Sequence, residues 1–125
     1  MIKALKEIPS KKLGKMRMRL LPLAGKKFPV SVLHEELPAA SETPALYHRK
    51  TDEYAIVLRG EATAYLDGRS FKIRKGSLFH IPAGAVHSFK TGRFSIEALS
   101  VFSPPLRPEA PDVHFVQDKR LEVKL

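Results

Sequence analysis

Several features are missing from the sequence, and each absence excludes a class of protein. There is no cysteine, so a disulfide framework, a thiolate metal site and a thiol nucleophile are excluded. The longest purely apolar run, Ala55 to Leu58, is too short to span a bilayer. The opening letters MIKALKEIPSKK lack the continuous apolar segment of a secretory signal. We therefore expect a cytoplasmic protein that has no membrane partner.

Amide side chains are also scarce, because asparagine is absent and Gln117 is the only glutamine. Depletion of these thermolabile residues, together with that of cysteine, is typical of thermophilic proteins. The composition therefore indicates a thermophile-like chain.

The net charge of +9 is concentrated in one segment of the chain. Residues 1–27 hold nine basic residues against Glu7 alone, whereas the other 98 residues hold thirteen basic and twelve acidic ones. No aromatic residue precedes Phe28 and no recognition-helix pattern is present, so the side chains that read nucleic acids are missing. We interpret residues 1–27 as a solubilising basic arm that includes a first strand, and we do not expect a nucleic-acid partner.

Short runs of alternating apolar and polar residues predict an all-β chain. Met16 to Leu20 alternates with arginine, and Phe28, Val30, Val32 and His34 alternate in the same way. Further strands are predicted at 54–59 (ended by Gly60), 62–66, 69–74, 77–81, 86–90, 94–102 and 113–116. Asp67-Gly68 predicts a tight hairpin, since both residues tolerate positive φ. Met1 to Ile8 could begin a helix, but no long amphipathic helix is present. Many short strands are typical of a sandwich or barrel.

Two histidines and one glutamate form the pattern that carries chemistry. His48 and Glu53 lie five positions apart, which would put them on opposite faces of a regular strand. They can converge only if a turn or bulge intervenes, and Thr51-Asp52 suits one. His87 follows a sharp Pro82-Ala83-Gly84 corner. Two imidazoles and one carboxylate are the components of an open-sided divalent metal site, although the same groups could simply hydrogen-bond one another in a relic pocket.

These residues resemble the two motifs of the cupin superfamily. The first cupin motif reads G-x5-H-x-H-x3,4-E-x6-G, and His48, Glu53 and Gly60 match its latter part. The second reads G-x5-P-x-G-x2-H-x3-N, and Gly76, Pro82, Gly84 and His87 match it. The resemblance runs from about Val30 to Phe102. Two positions depart from the pattern, because Leu46 stands where the first histidine falls and Thr91 where the asparagine falls.

The resemblance implies a small single-domain cupin of the germin-like type, which is a double-stranded β-helix or jelly-roll barrel. Residues 28–103 would form the barrel, and residues 104–125 would form a tail that packs on it or on a partner. We expect a homodimer whose interface is crossed by the strand near Met16 to Leu20 or by the tail.

The resemblance also implies that His48, Glu53 and His87 hold one divalent ion of iron, manganese, nickel or zinc. Leu46 is interpreted as a pocket wall. His34 lies at an apolar-phase position and could replace the missing histidine, although a satisfied core histidine is the better interpretation. Tyr47 and Tyr54 flank the ligands and could offer a phenol to the pocket.

Three functions remain open at this point. The leading one is a metal-binding protein that acts on or binds a small polar metabolite, as a dioxygenase or an isomerase. The second is a non-catalytic ligand-binding or sensory cupin. The third is a metal-free sugar isomerase or epimerase, which would need a histidine base and a tyrosine acid such as Tyr47 or Tyr54.

Overall fold

A computed structural model describes residues 2–22, 28–107 and 111–116. Met1 and residues 23–27, 108–110 and 117–125 lie outside the described part. The predictions that concern Lys26, Lys27 and the end of the tail therefore fall on residues outside it. The described residues form one 3-10 turn, Leu5–Glu7, and ten strands: β1 (Lys11–Leu13), β2 (Met16–Leu20), β3 (Ser31–Leu37), β4 (Leu46–Tyr47), β5 (Asp52–Leu66), β6 (Arg69–Arg74), β7 (Leu78–Ile81), β8 (His87–Lys90), β9 (Ile96–Ser103) and β10 (His114–Phe115).

Every pairing among these strands is antiparallel, and the long strand β5 belongs to both halves of the barrel. The first part of β5 pairs with β7 and β9, and its second part pairs with β6 and β8. The strand order is β1-β2-β3-β9-β5-β8-β4-β10, with β6 and β7 also on β5. The predicted all-β jelly-roll barrel is confirmed.

Gly60 corrects one boundary that the sequence predicted. It does not end a strand, because β5 continues through it to Leu66. The register between β5 and β9 shifts between Val57 and Arg59, which marks a β-bulge, and Gly60 has a φ of +81°. The bulge bends β5 so that one strand can turn from one half of the barrel into the other.

Three other local predictions have clear outcomes. The hairpin at Asp67-Gly68 is confirmed, with φ values of 47° and 81°. The helix considered at Met1 to Ile8 is only the 3-10 turn, and the strand expected from Phe28 begins at Ser31. None of the helical segments in the described ranges has the length and hydrophobicity that crossing a membrane requires.

Both ends of the described chain pack on the barrel. Strand β2 pairs with β1 on one edge and with β3 on the other. The short strand β10 pairs with β4, which precedes His48 directly. The segment before the barrel therefore extends one sheet, and the described part of the tail lies beside the first motif.

The core gathers buried aliphatic side chains from four strands, β3, β5, β6 and β9. Its members are Leu37, Val57, Ala62, Ala64, Ile73 and Ile96, with Met16, Phe79 and Phe89 packed against them. Phe79 and Phe89 also line the space next to Glu53. The same side chains that stabilise the barrel therefore form the apolar wall beside the predicted ligands.

Candidate metal centre

The structure brings His48, Glu53 and His87 together inside the barrel. One donor atom from each lies within 4.8 Å of the other two, and all three residues are buried. Glu53 Oε1 lies 3.9 Å from His48 Nε2 and 3.8 Å from His87 Nε2. Each separation exceeds hydrogen-bonding distance, so the three groups face a common point without bonding one another.

The second nitrogen of each histidine is held by a backbone carbonyl. His48 Nδ1 lies 2.7 Å from the carbonyl oxygen of Asp112, and His87 Nδ1 lies 3.0 Å from that of Ala85. A carbonyl oxygen can only accept, so Nδ1 carries the proton in both rings. In the neutral rings Nε2 therefore has a free lone pair, and it is Nε2 that faces Glu53. Metal-binding histidines usually donate their other ring N–H to a carbonyl or carboxylate in this way.

A bend and a corner explain how residues distant in sequence converge. The chain bends at Arg49 and Lys50, slightly before the predicted Thr51-Asp52 position, and this places His48 and Glu53 on the same side. The backbone N–H of Gly84 donates to the carbonyl oxygen of His48 at 2.6 Å. The corner of the second motif is thus tied directly to the first motif.

Asp112 is a supporting residue that the sequence did not reveal. Its carboxylate accepts hydrogen bonds from the backbone N–H groups of Arg49 (2.9 Å), Lys50 (2.6 Å) and Thr51 (3.2 Å). Although partial burial opposes ionisation, these bonds and one from His114 lower the pKa of Asp112 to about 2. One tail residue therefore orients His48 through its carbonyl and fixes the bend through its carboxylate.

Burial controls the charge state of the site. Glu53 is buried in the barrel, and this desolvation, with the nearby charge of Glu35, raises its pKa well above the usual value. Burial lowers the pKa of His87 to about 4, and the neighbouring His48 adds to that effect. His87 is therefore neutral near pH 7 and able to bind a metal, while an ionised Glu53 would need a compensating cation.

These observations fit a divalent transition ion. Two imidazole nitrogens and one carboxylate oxygen converge, and both imidazoles have their other nitrogen anchored. Leu46 pairs with His87 across the strands and lines the same cavity, which agrees with a wall in place of a fourth donor. The three donors would leave one side of the ion open to a ligand.

The cavity in front of the three donors measures about 200 Å³. Besides the ligand side chains its polar members are Glu35 and Thr43. Its other lining residues are apolar: Leu13, Met16, Met18, Leu33, Pro44, Leu46, Phe89, Phe102, Leu106 and Val113. The lining therefore suits a small ligand whose body is largely apolar.

Glu35 is a second, partly buried carboxyl that the sequence did not single out. It lines the same cavity as Glu53, and the hydroxyl of Ser100 donates to its Oε1 in a short hydrogen bond. Burial raises the pKa of Glu35 to about 7, although the bond from Ser100 acts in the opposite direction. The sequence did contain a signal for it, because Glu35 alternates with Leu33 and Leu37 and a strand would place all three on the same face.

We expect the Glu35 carboxyl to make the metal-free protein less stable at high pH. Its pKa in the fold, about 7, lies above the ordinary value of 4.5, so its stabilising contribution is present below pH 4.5 and is lost as the pH rises through 7. Over this pH range the free energy of unfolding of the wild type should fall by at most about 3 kcal/mol more than that of Glu35→Gln. The loss is limited because the carboxyl keeps some solvent contact.

Urea denaturation of chelator-treated protein between about pH 4.5 and about pH 8 measures this loss. His87 acts in the opposite direction, because its lowered pKa makes stability fall as the pH drops from 6.5 towards 4. The comparison between wild type and Glu35→Gln removes that contribution. Glu36→Gln, on the outer face of the same strand, is the control. Parallel pH profiles for wild type and Glu35→Gln would contradict the assignment.

His34 does not replace the missing histidine. Leu33 and Glu35 point into the cavity, so the intervening His34 points to the other face of β3. There its Nε2 lies 2.6 Å from Glu97 Oε2. The apolar alternation from Phe28 to His34 placed His34 among the inward-facing residues. That placement is wrong, because both faces of β3 are partly covered and apolar residues therefore do not mark one face alone.

The two tyrosines also lie away from the three donors. Tyr47 stacks on His114 with ring centroids 5.0 Å apart. Tyr54 is 59% exposed and stacks on His80 at 4.3 Å. Strand alternation explains both positions, because Tyr47 is flanked by Leu46 and His48, which face inward. Neither phenol can therefore serve as an acid in the cavity.

The comparison with known proteins agrees with this architecture. A family model described as "Cupin domain" matches residues 33–102. The chain belongs to the cupin family. An uncharacterized protein of Aquifex aeolicus (strain VF5) is 40% identical to this cupin over 65 residues, which are 51% of this chain and 52% of that protein.

A second relative of this cupin is an enzyme. Quercetin 2,3-dioxygenase of Bacillus subtilis (strain 168) is 28% identical over 75 residues, which are 60% of this chain and 22% of the dioxygenase. The chain thus spans about half the length of the Aquifex relative and less than a quarter of the dioxygenase.

A solved structure extends the similarity to nearly the whole chain. The polyketide cyclase RemF of Streptomyces resistomycificus has a TM-score of 0.75 at 21% identity, with 99% of this chain and 92% of the cyclase covered. At this identity the likeness concerns the fold.

Proposed function

We propose that this cupin holds one divalent transition-metal ion through His48, Glu53 and His87 and binds a small ligand at the open side of that ion. The observation that carries the proposal is the pair of Nε2 atoms that face Glu53 while both Nδ1 atoms donate to carbonyls. When bound, the ion would supply a Lewis-acid centre or a site for dioxygen.

The cavity supports a more specific choice of ligand than the polar metabolite expected at first. With about 200 Å³ and a mostly apolar lining, it suits a compact molecule with an apolar body and one or two oxygen atoms directed at the ion. The likeness to quercetin 2,3-dioxygenase over 75 residues favours oxygenase chemistry on such a ligand. Among the described residues that line the cavity, Glu35 is the one carboxyl outside the ligand set, and it could accept a hydrogen bond from a hydroxyl of the ligand.

Non-catalytic binding is the second candidate, favoured by the scarcity of polar side chains around the three donors. The metal-free isomerase lacks support, because the tyrosine that it needs is not in the cavity. Dioxygen consumption by the metal-loaded protein with small phenolic ligands separates the first two, since the binding protein would consume none.

Cobalt substitution tests the open side of the site. We expect Co²⁺ bound to the wild type to give visible absorption bands, and the bands should shift when catechol, which has an apolar ring and two neighbouring oxygens, is added. Glu53→Gln should give neither response. Bands that catechol leaves unchanged would show that the coordination sphere is closed and would contradict the proposal.

We also propose that two copies pair through the outer face of β5, β7 and β9. Tyr54, Ile56 and Leu78 are 59%, 36% and 77% exposed there, beside Leu99 and Val101. Among the described strands β7 pairs with β5 alone, so it offers a free edge to a second copy. Strand β2, where the interface was first expected, already has partners on both edges.

A charge introduced on this face should dissociate the dimer. We expect Leu78→Glu to be monomeric in light scattering, because pairing would bury a carboxylate without a partner. The control is Phe71→Glu, which changes an exposed apolar residue of β6 and should stay dimeric. A monomeric wild type, or equal behaviour of the two variants, would contradict this interface.

A further inference from the structure

A second concave site lies on the outer surface of the barrel, on the face opposite the metal cavity. Strand alternation separates the two sites, since Glu35 faces the cavity whereas Glu36 faces outward. The outer site encloses about 380 Å³. Leu37, Pro38 and Ile96 contribute apolar surface, and the remaining lining is Ser95 together with six charged residues. We name it the basic groove.

Five of those charged residues form one row across five strands. Lys12 of β1 pairs with Arg17 of β2, which pairs with Glu36 of β3. The row continues from Glu36 to Glu97 of β9 and then to Arg59 of β5. Directly paired residues share a face of the sheet, so all five side chains project into the groove. Lys15, in the turn between β1 and β2, adds a sixth charge.

The two carboxylates in the row already have partners. Glu36 Oε1 lies 2.9 Å from Arg19 Nη1. Glu97 binds His34 through Oε2 at 2.6 Å and Arg59 through Oε1 at 3.0 Å. Hydrogen bonding to His34 is the main reason why the pKa of Glu97 lies below its usual value. Both carboxylates are therefore already engaged by basic side chains of the same face.

Lys12 and Arg17 at one end of the row, and Lys15 in the turn beside them, have no such partner among the described residues. Within residues 2–22, 28–107 and 111–116, no carboxylate forms a salt bridge with Lys12, Lys15 or Arg17. Lys12 and Arg17 are moreover opposite each other, and like charges in direct cross-strand pairs are destabilising. An anion bound between them would relieve this repulsion.

We propose that the basic groove binds a small phosphate-bearing anion through Lys12, Lys15 and Arg17. The planar guanidinium of Arg17 offers two parallel donors that match a phosphate, and the two lysines add point charges beside it. Ser95 supplies a hydroxyl, and the apolar residues leave room for the organic part of a phosphate ester. This site is independent of the metal centre and of the function proposed for it.

The shape and charge of the groove favour a small anion over a nucleic acid. Lys12, Lys15 and Arg17 lie together at one end of the groove, whereas the paired carboxylates Glu36 and Glu97 interrupt the positive surface that an extended polyanion would need. Among the described residues that line the groove none is aromatic, so they offer no platform for base stacking.

Calorimetric titration with pyrophosphate tests the proposal at low ionic strength, where such contacts are least screened. We expect saturable binding to the wild type and a loss of about tenfold or more in affinity for Arg17→Gln and for Lys12→Gln. The control Arg69→Gln removes an exposed arginine at the β5–β6 hairpin and should bind normally. His87→Ala should also bind normally, which separates this site from any pyrophosphate held by a metal ion.

Several outcomes would overturn the proposal. One is the absence of saturable binding to the wild type. Another is an equal loss for Arg69→Gln, which would indicate a diffuse response to net charge. A third is loss of binding in His87→Ala, and the last is duplex DNA that binds more tightly than pyrophosphate and depends on the same residues.

Discussion

His87→Ala should abolish high-affinity metal binding while the barrel stays folded. The substitution removes one of two imidazole donors and leaves His48 and Glu53 as the remaining ligands. Loss of a supporting hydrogen bond alone typically reduces metal affinity about 10–100-fold, so loss of a direct ligand should exceed that. The core side chains belong to other residues, and the fold should therefore persist.

The matched control is His80→Ala. His80 also belongs to the second motif region but lies on the outer surface, where it stacks on Tyr54 and contacts Asp52 at 3.1 Å. Zinc titration calorimetry, with circular dichroism to verify folding, compares the two variants. Wild-type affinity in His87→Ala, or equal losses in both variants, would contradict the assignment.

Gly60→Ala should destabilise the fold by about 3 kcal/mol or more. A Cβ at this position would lie 1.8 Å from the carbonyl oxygen of Ser95, and the φ of +81° disfavours any other residue. The Ser95 carbonyl is part of the backbone and cannot rotate away. Relief would require separating β5 from β9, the pair of strands on which Glu53 and Phe102 lie.

Gly76→Ala is the control that separates the two causes of the instability expected for Gly60→Ala, the steric overlap and the positive φ. Gly76 has a φ of +88°, but a Cβ there meets nothing within 4 Å. We expect it to lose only about 1–2 kcal/mol, the cost of the left-handed conformation. Urea denaturation of both variants measures the difference, and equal free energies of unfolding would show that the bulge relaxes freely.

Gly60 also illustrates what sequence patterns can and cannot predict. Alternation located most strands, and Asp67-Gly68 predicted its hairpin, because these signals depend on residues close together in the chain. A glycine within a strand-like run is ambiguous, since it can end a strand or allow a bulge. The choice at Gly60 depends on the approach of Ser95, which lies 35 positions away and leaves no local signal.

The same distinction applies to the metal centre. The motif spacing predicted that His48, Glu53 and His87 would converge, and the structure brings them together. The supporting carbonyl of Asp112 comes from the proline-rich tail, 64 positions from His48, and no pattern links the two. His34 and Glu35 are adjacent, so an error of one residue in the predicted inward-facing positions of β3 exchanged the faces assigned to them. Which residues of β3 face inward depends on the parts of the fold that pack against its two faces, and apolar alternation alone does not determine it.

The metal content of the untagged protein tests the central claim most directly. Purified protein would be incubated separately with Fe²⁺, Mn²⁺, Ni²⁺ and Zn²⁺, freed of excess ions by gel filtration and analysed by plasma mass spectrometry. Binding of close to one ion per chain for at least one of these metals is the expected result, with uptake falling as the pH drops because protons compete for the three ligands. Protein that remains metal-free with all four ions would contradict the account.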